Sequence, residues 1–314
     1  MTGLARSEAA RTSFHLDSFL DREGERVERA LEEVAERVLR EIPEPLASPM
    51  RYALETRGKR LRPILCVAAY RAVRGGDGAV EEPVYRLACA LEIVHTYSLV
   101  HDDLPSMDDD DVRRGRPTVH RVYGSPLATL AGAALLPAAA ATLDLDGAAL
   151  GLPPGERGRL VSALCAAVGA EGMVGGQLQD LEGEGVELDA PALERIHQGK
   201  TGALLAASLR LGGIAAGGSK EHLRGLSGYG EALGLAFQIV DDVLDVTAHS
   251  HALGKTAGKD VSSRKNTYPA LFGVEGARRL ARERAREARR ALAGAGIRSS
   301  ELEELADFVV ERER

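Results

Sequence analysis

Apolar side chains recur along this chain with the three-to-four-residue spacing of a helix, and the strict alternation of a strand is nearly missing. The stretch 16–42 sets the pattern. Leu31, Val34, Val38, Leu39 and Ile42 fall on one side, with Arg and Glu around the rest, until Pro43 and Pro45 end the run. The same reading predicts further helices over 62–74, 82–101, 119–143, 155–179, 191–212, 220–246, 268–292 and 300–312. Breaks fall where Gly, Pro and Asp collect, as at Gly75-Gly76-Asp77-Gly78 and Gly151-Leu152-Pro153-Pro154-Gly155. No stretch has linker composition and no internal repeat stands out. The expected architecture is therefore all-α: one domain over 1–314, a bundle of about ten or more helices around a central cavity.

Composition narrows the function classes. The formal charge of −7, with no basic stripe, argues against nucleic acid. So do the lack of Trp and an aromatic content of 4%, which leave few stacking platforms for single strands. The three cysteines, Cys66, Cys89 and Cys165, sit in apolar stretches and read as reduced core thiols of a cytoplasmic protein. The opening stretch 1–11 has no apolar core, so no signal peptide is expected. The longest apolar run, 127–143, is Ala-rich, contains Pro137 and falls short of a membrane span; a core helix is the expectation.

The candidate chemistry lies at the ends of two of the apolar helices. One carries Asp102-Asp103-Leu104-Pro105-Ser106-Met107-Asp108-Asp109-Asp110-Asp111, and the other carries Asp241-Asp242-Val243-Leu244-Asp245. An acidic run by itself is most often a solvated face. Here each run follows apolar sequence, Leu91 to Val100 in one case and Phe237 to Val240 in the other, which mounts the carboxylates on buried elements. Each is also followed by cations: Arg113, Arg114 and Arg116, then Lys255 and Lys259. Carboxylates this dense repel one another unless cations lie between them, and hard oxygen ligands pointing into a cleft suit Mg²⁺ shared with phosphates. Asp241 and Asp245, one turn apart, leave the same helix face, whereas Pro105 should break or bulge the helix after Asp102. Acid, metal and base together describe a polyphosphate site.

With these clusters in place the chain resembles the trans-isoprenyl diphosphate synthases, the polyprenyl synthetase family, and most closely its bacterial farnesyl diphosphate synthases. The likeness runs from about Arg57 to the C-terminus and rests on ordered motifs: Gly58-Lys59-Arg60-Leu61-Arg62-Pro63, His101-Asp102-Asp103 through Thr118, Gly175-Gly176-Gln177-Leu178-Gln179-Asp180, Lys200-Thr201-Gly202, Phe237-Gln238 through Asp245, Gly254 to Asp260 and Lys265 to Pro269. The resemblance implies that Asp102, Asp103 and Asp108, with Asp241, Asp242 and Asp245, hold three Mg²⁺ ions on an allylic diphosphate. It implies that Arg113, Lys200, Lys255 and Lys265 contact the same diphosphate, and that Lys59, Arg62, His95 and Arg114 hold isopentenyl diphosphate. Thr201 and Gln238 would turn oxygens toward the developing allylic cation. Taken alone, His95 would read as a core histidine, but it stands about two turns before Asp102 on the same face.

Chain length in the family is set just before the first Asp cluster, where Tyr97 and Ser98 stand fifth and fourth before Asp102. An aromatic at the fifth position implies a floor that stops growth at C15, farnesyl diphosphate, although Tyr97 also reads as an ordinary core aromatic. Arg57, where a second Gly is common, and Ala133, where many relatives carry Asp, depart from the pattern. The alternatives are a geranylgeranyl diphosphate synthase of the same family and a non-catalytic regulatory subunit of a heteromeric synthase, which tends to lose one Asp motif. A class I terpene cyclase would replace the second Asp cluster by Asn, Ser and Glu. The resemblance also implies a homodimer, with the helices around 119–143 as interface.

Overall fold

A computed structural model of the chain describes residues 15–75, 79–253 and 266–312, the side chains of 248–253 aside. Thirteen α-helices account for nearly all of it, in the order α1 (Leu16–Leu39), α2 (Glu44–Leu54), α3 (Leu61–Arg74), α4 (Glu82–Asp102), α5 (Val119–Tyr123), α6 (Ser125–Ala149), α7 (Pro154–Val168), α8 (Met173–Glu182), α9 (Ala190–His197), α10 (Ala203–Ala215), α11 (Lys220–Leu253), α12 (Tyr268–Gly294) and α13 (Ser300–Glu311). A five-residue π-helical turn, Gln198–Gly202, joins α9 to α10. Two short antiparallel strands, β1 (Val112–Arg113) and β2 (Arg116–Pro117), pair in the loop after α4.

The all-α expectation holds, and the burial of α3 and α4 explains the arrangement. Ile64 through Tyr70 in α3 and Leu87 through Val94 in α4 are buried without interruption, so both helices have neighbours on every side. Each such leucine or isoleucine contributes about 1.5–3 kcal/mol of transfer free energy. α4 is packed by α1, α3, α6 and α10, and α11 lies between α10 and α12. The starts of the later helices are fixed by side-chain caps: Asp189 accepts from the Ala192 amide, Thr267 from Ala270 and Ser299 from Leu302.

Several sequence expectations need correction. The run ended by Pro43 and Pro45 restarts at once, because Pro45 sits in the first turn of α2, where its missing N–H costs nothing. The single helix expected over 119–143 is two, divided at Gly124, whose φ of +83° no helix accommodates. The one expected over 155–179 divides at 169–172 into α7 and α8, and 191–212 holds the π-helical turn. The apolar run 127–143 is core on one side, where Ala131, Leu135, Ala139 and Leu143 are buried, but Leu130 on its other side is 57% exposed, as is Leu145 beyond it at 53%. By length and composition the 25-residue α6, which contains this run, is apolar enough to cross a membrane, and 39% of its 18-residue apolar window is buried in the fold. Cys66 and Cys89 are buried as expected; Cys165 is exposed.

Candidate diphosphate site

The first Asp cluster is placed by the end of α4. The helix stops at Asp102, as Pro105 predicts, and the chain turns back so that the Asp108 amide donates to the Asp102 carbonyl at 2.9 Å. Asp102 is half-buried, and desolvation lifts its carboxyl to about 6; the Lys200 charge opposes the lift and that of Asp108 adds to it. Asp103 is buried and accepts from Arg113 Nε at 2.5 Å, while Arg113 Nη2 donates to Asp110 at 3.1 Å. The β1–β2 hairpin, which the sequence did not signal, carries Arg113 back over the acids. Asp109, Asp110 and Asp111 are exposed.

The second cluster lies on α11. Asp241 and Asp242 are half-buried and Asp245 is exposed one turn on. Burial lifts the Asp242 carboxyl to about 7, against a hydrogen bond from the Tyr268 amide at 2.9 Å and with help from Asp245 and Asp241. Asp241 is also raised by burial, opposed by Arg312, whose Nη2 donates to it at 2.5 Å and to the Phe237 carbonyl at 2.8 Å. The Arg312 guanidinium stacks 3.8 Å from the Phe237 ring centroid. Thus a cation from the end of α13 is folded onto the second cluster.

The two acid groups meet across the π-helical turn. Lys200 donates to Asp180 of α8 at 2.6 Å. Burial pulls the Lys200 ammonium down, but the Asp180 hydrogen bond and the charges of Asp180, Asp102 and Asp108 outweigh it and leave the pKa raised. Asp180 in turn acts on Asp242. This contact depends on glycine: a Cβ on Gly176 would lie 2.1 Å from the Lys200 backbone nitrogen, and one on Gly234 of α11 would lie 2.8 Å from Gly202 Cα. Thr201 and Gln238, on the turn and on α11, are half-buried.

A cluster of cations sits beside the acids. Arg114, in the left-handed region at φ +51°, donates to the Arg57 carbonyl at 2.9 Å and lies 3.5 Å from His95 Nε2. Desolvation, then the charges of Arg62 and Arg114, hold His95 well below the usual histidine range, so it is neutral and accepts from Arg114. Arg62 is lowered by burial, senses Asp241, and keeps an unpaired buried Nε among the described residues. Arg62 is half-buried, whereas Lys59 is exposed. Lys59 is carried on a loop locked by Arg60, which donates to Glu92 at 2.6 Å, Glu28 at 2.9 Å and the Thr56 carbonyl at 2.9 Å. Arg60 and Glu92 are both buried.

From Asp102 and Lys200 a cavity of about 220 Å³ runs along α4 and α8, lined by Tyr97, Ser98 and His101 on one side and Met173, Gln177, Leu178 and Leu181 on the other. No α4 residue before Tyr97 lines it. The Tyr97 ring lies edge-on to His101 at 4.7 Å, and Ser98 Oγ donates to the His95 carbonyl.

Lys255 and Lys265 lie outside the described residues. Asp102, Tyr97, Ser98 and Lys200 line one cavity, whereas Asp103, Arg113 and Arg114 line a neighbouring one and Lys59 a third; Asp103, Asp241 and Asp242 are each held by a protein donor rather than free. Sequence reasoning missed Arg312, the Arg60 and Glu92 pair and the Lys200 and Asp180 pair. The signal for Lys200 was its spacing after the Gly-rich α8 motif; Arg312 had none, since a terminal arginine looks like any solvated charge.

Among the described residues no Asp, Glu, His and Cys side chains form a ready metal cage. Mg²⁺ does not need one, because it takes one or two carboxylates and fills its shell with water and phosphate oxygens. The donor set fits such an ion: hard oxygens, desolvated enough that Asp102 and Asp242 hold protons more tightly than ordinary carboxyls. A diphosphate would meet acids able to share cations with it, a buried Lys and Arg able to bind it directly, and an apolar cavity for an attached chain.

Residues 43–300 match the model of the polyprenyl synthetase family. The chain is 43% identical to a farnesyl diphosphate synthase of Geobacillus stearothermophilus over 95% of this chain and 98% of that protein. It is 44% identical to a chloroplastic geranylgeranyl pyrophosphate synthase of Arabidopsis thaliana over 90% of this chain and 77% of that one. A crystal structure of a FPP/GFPP synthase from Zymomonas mobilis superposes with a TM-score of 0.77 at 34% identity, covering 94% of this chain and 98% of that chain.

Proposed function

The chain belongs to the polyprenyl synthetase family and is a prenyltransferase; within that activity we propose that it joins isopentenyl diphosphate head-to-tail to dimethylallyl or geranyl diphosphate, in a Mg²⁺-dependent reaction giving farnesyl diphosphate and diphosphate. The observation that carries this reading is that Asp102 and Asp108 of the first cluster and Asp180 act on Lys200, that Asp180 also acts on Asp242 of the second, and that Asp102 and Lys200 line a cavity shared with Tyr97.

The chemistry follows from the residue types. The allylic C1–O bond breaks with its electron pair leaving on the diphosphate. The isopentenyl double bond then supplies the pair for the new C4–C1 bond, and the resulting C3 cation loses a proton from C2 to the released diphosphate. Mg²⁺, held by Asp102, Asp103, Asp108, Asp241, Asp242 and Asp245, would neutralise charge on the departing oxygens. Lys200 and Arg113 bind those oxygens from the protein side, Lys200 fully charged because Asp180 and Asp102 keep it so. Arg62, Arg114 and Lys59 hold the isopentenyl diphosphate, with neutral His95 accepting from Arg114 and so fixing its guanidinium. The Thr201 and Gln238 oxygens face the cation, and the apolar cavity keeps water from capturing it. Arg113 and Arg312 hold Asp103 and Asp241 and would have to give way where these carboxylates hold a metal ion.

Geranylgeranyl diphosphate synthesis is the second reading, favoured by relatives of that name at comparable identity. The exposed apolar side of α6, with Leu130 and Leu145, supports a homodimer. Calorimetry with geranyl S-thiolodiphosphate, which binds but does not ionise readily, tests the site. Affinity is expected only with Mg²⁺ and is lost in Asp102→Asn and Asp241→Asn; equal affinity with EDTA, or in both variants, contradicts the reading.

A further inference from the structure

Gln177 is a half-buried polar side chain of the cavity wall that the roles above leave unused. Both its Nε2 and its Oε1 are buried without a hydrogen-bond partner among the described residues. A primary amide has two donors and an acceptor to satisfy, so burying it unpaired weakens the fold unless something else completes it. It cannot be relieved by a small shift of α8. Gly176, its neighbour, is pressed onto the Lys200 backbone, and Gly172 at the start of α8 onto the Ala167 carbonyl at the end of α7. Lys200, which lines the same cavity, is committed to Asp180.

Its position along the cavity indicates what completes it. Three residues on in α8, Asp180 binds Lys200, which with Asp102 forms the polar end; one turn back, Met173 lines the same cavity with Tyr97 among its apolar residues. A substrate with its diphosphate at the polar end and its chain toward Tyr97 places its first isoprene unit against Gln177. We propose that Gln177 is a catalytic residue whose amide oxygen faces the C1–C3 allyl unit and stabilises the positive charge that spreads there as the C1–O bond breaks. This inference rests on the prenyl-transfer reading. Gln177 exchanges no bond. Its amide dipole lowers the energy of the cation while the electron pair leaves with the diphosphate, and a neutral amide oxygen is a weaker trap for that cation than a carboxylate would be.

The alternatives give different signatures, so binding distinguishes them without turnover. Two probes are titrated with Mg²⁺ into wild type, Gln177→Leu and Gln177→Met: geranyl S-thiolodiphosphate, with a neutral chain, and an aza analogue carrying an ammonium in place of C3. In both variants thiolodiphosphate affinity is expected to stay within about twofold while ammonium-analogue affinity falls about tenfold or more, and kcat falls about tenfold to hundredfold with both KM values little changed. Retained thiolodiphosphate binding also shows that the variants fold. An equal loss for both probes would make Gln177 a diphosphate ligand and overturn the proposal. Unchanged binding of both, or a change only in product length, would make it a wall residue and overturn it too. If wild type fails to bind the thiolodiphosphate with Mg²⁺, the prenyl-transfer reading itself fails, and this inference with it.

Discussion

Replacing Tyr97 by Ala tests the proposal that this ring floors the tail cavity. The phenol is half-buried, sits edge-on to His101 at 4.7 Å, and is the last α4 side chain to line the cavity. Each condensation adds five carbons. At about 0.8 kcal/mol per carbon group, a further unit with apolar room gains about 4 kcal/mol over one left without it, a preference of about 10³. With Tyr97 in place the unit beyond C15 must displace the ring or stay out of the cavity, so C20 should form about a thousandfold less readily than C15. Tyr97→Ala removes the obstacle and opens the space against His101, and it should cost the fold about 1–3 kcal/mol. The assay is chromatography of dephosphorylated products from radiolabelled isopentenyl diphosphate and geranyl diphosphate. The expected result is a shift from C15 to C20 and longer, with the first condensation on geranyl diphosphate changed by less than about threefold. A variant that still stops at C15 would place the floor elsewhere, and a wild type that already makes C20 would refute the floor outright.

The Arg312 contact makes a metal prediction: Arg312→Leu frees Asp241 of its cation, so the Mg²⁺ concentration at half-maximal rate should fall about threefold to tenfold in a metal titration, and an unchanged requirement would show that the pair is opened at no cost. Glu92→Leu leaves Arg60 buried with only Glu28 and Thr56, and should cost about 3 kcal/mol in urea unfolding, while Glu92→Leu with Arg60→Met recovers part of it. Burial lowers His197 to about 4; because the unfolded chain binds the proton more readily, stability is complete above the unfolded value of about 6.5 and falls as the pH drops toward 4, by about 3 kcal/mol at most, and His197→Leu should flatten that slope in unfolding curves between pH 7 and 5. Asp102 at about 6 and Asp242 at about 7 should make protons compete with Mg²⁺, so calorimetric Mg²⁺ affinity with the thiolodiphosphate should weaken from pH 8 to pH 6 with proton release on binding.

The legible part of the molecule was the part governed by local rules. Helical spacing disclosed the bundle, and Pro105 disclosed the end of α4, because both act within a few residues of the chain. The Asp clusters were legible because carboxylates on apolar helices demand a cation wherever the helices end up. What escaped depended on the third dimension. The break at Gly124 needs a positive φ that a Gly in an Ala-rich run does not announce. The α6 helix, with few charges, looked like core, yet its composition says nothing about which side the bundle covers. Arg312 meets Asp241 across seventy-one positions, and Arg60 meets Glu92 across thirty-two. Gln177 stood in a motif, but only its unpaired burial beside Lys200 gave it a use.

The most direct test of the account is incubation of the protein with radiolabelled isopentenyl diphosphate and geranyl diphosphate, with Mg²⁺ or with EDTA, followed by product analysis. The account predicts a labelled C15 diphosphate with Mg²⁺ and none with EDTA. Labelled product in EDTA, or no condensation at all with Mg²⁺ and either allylic starter, would contradict it.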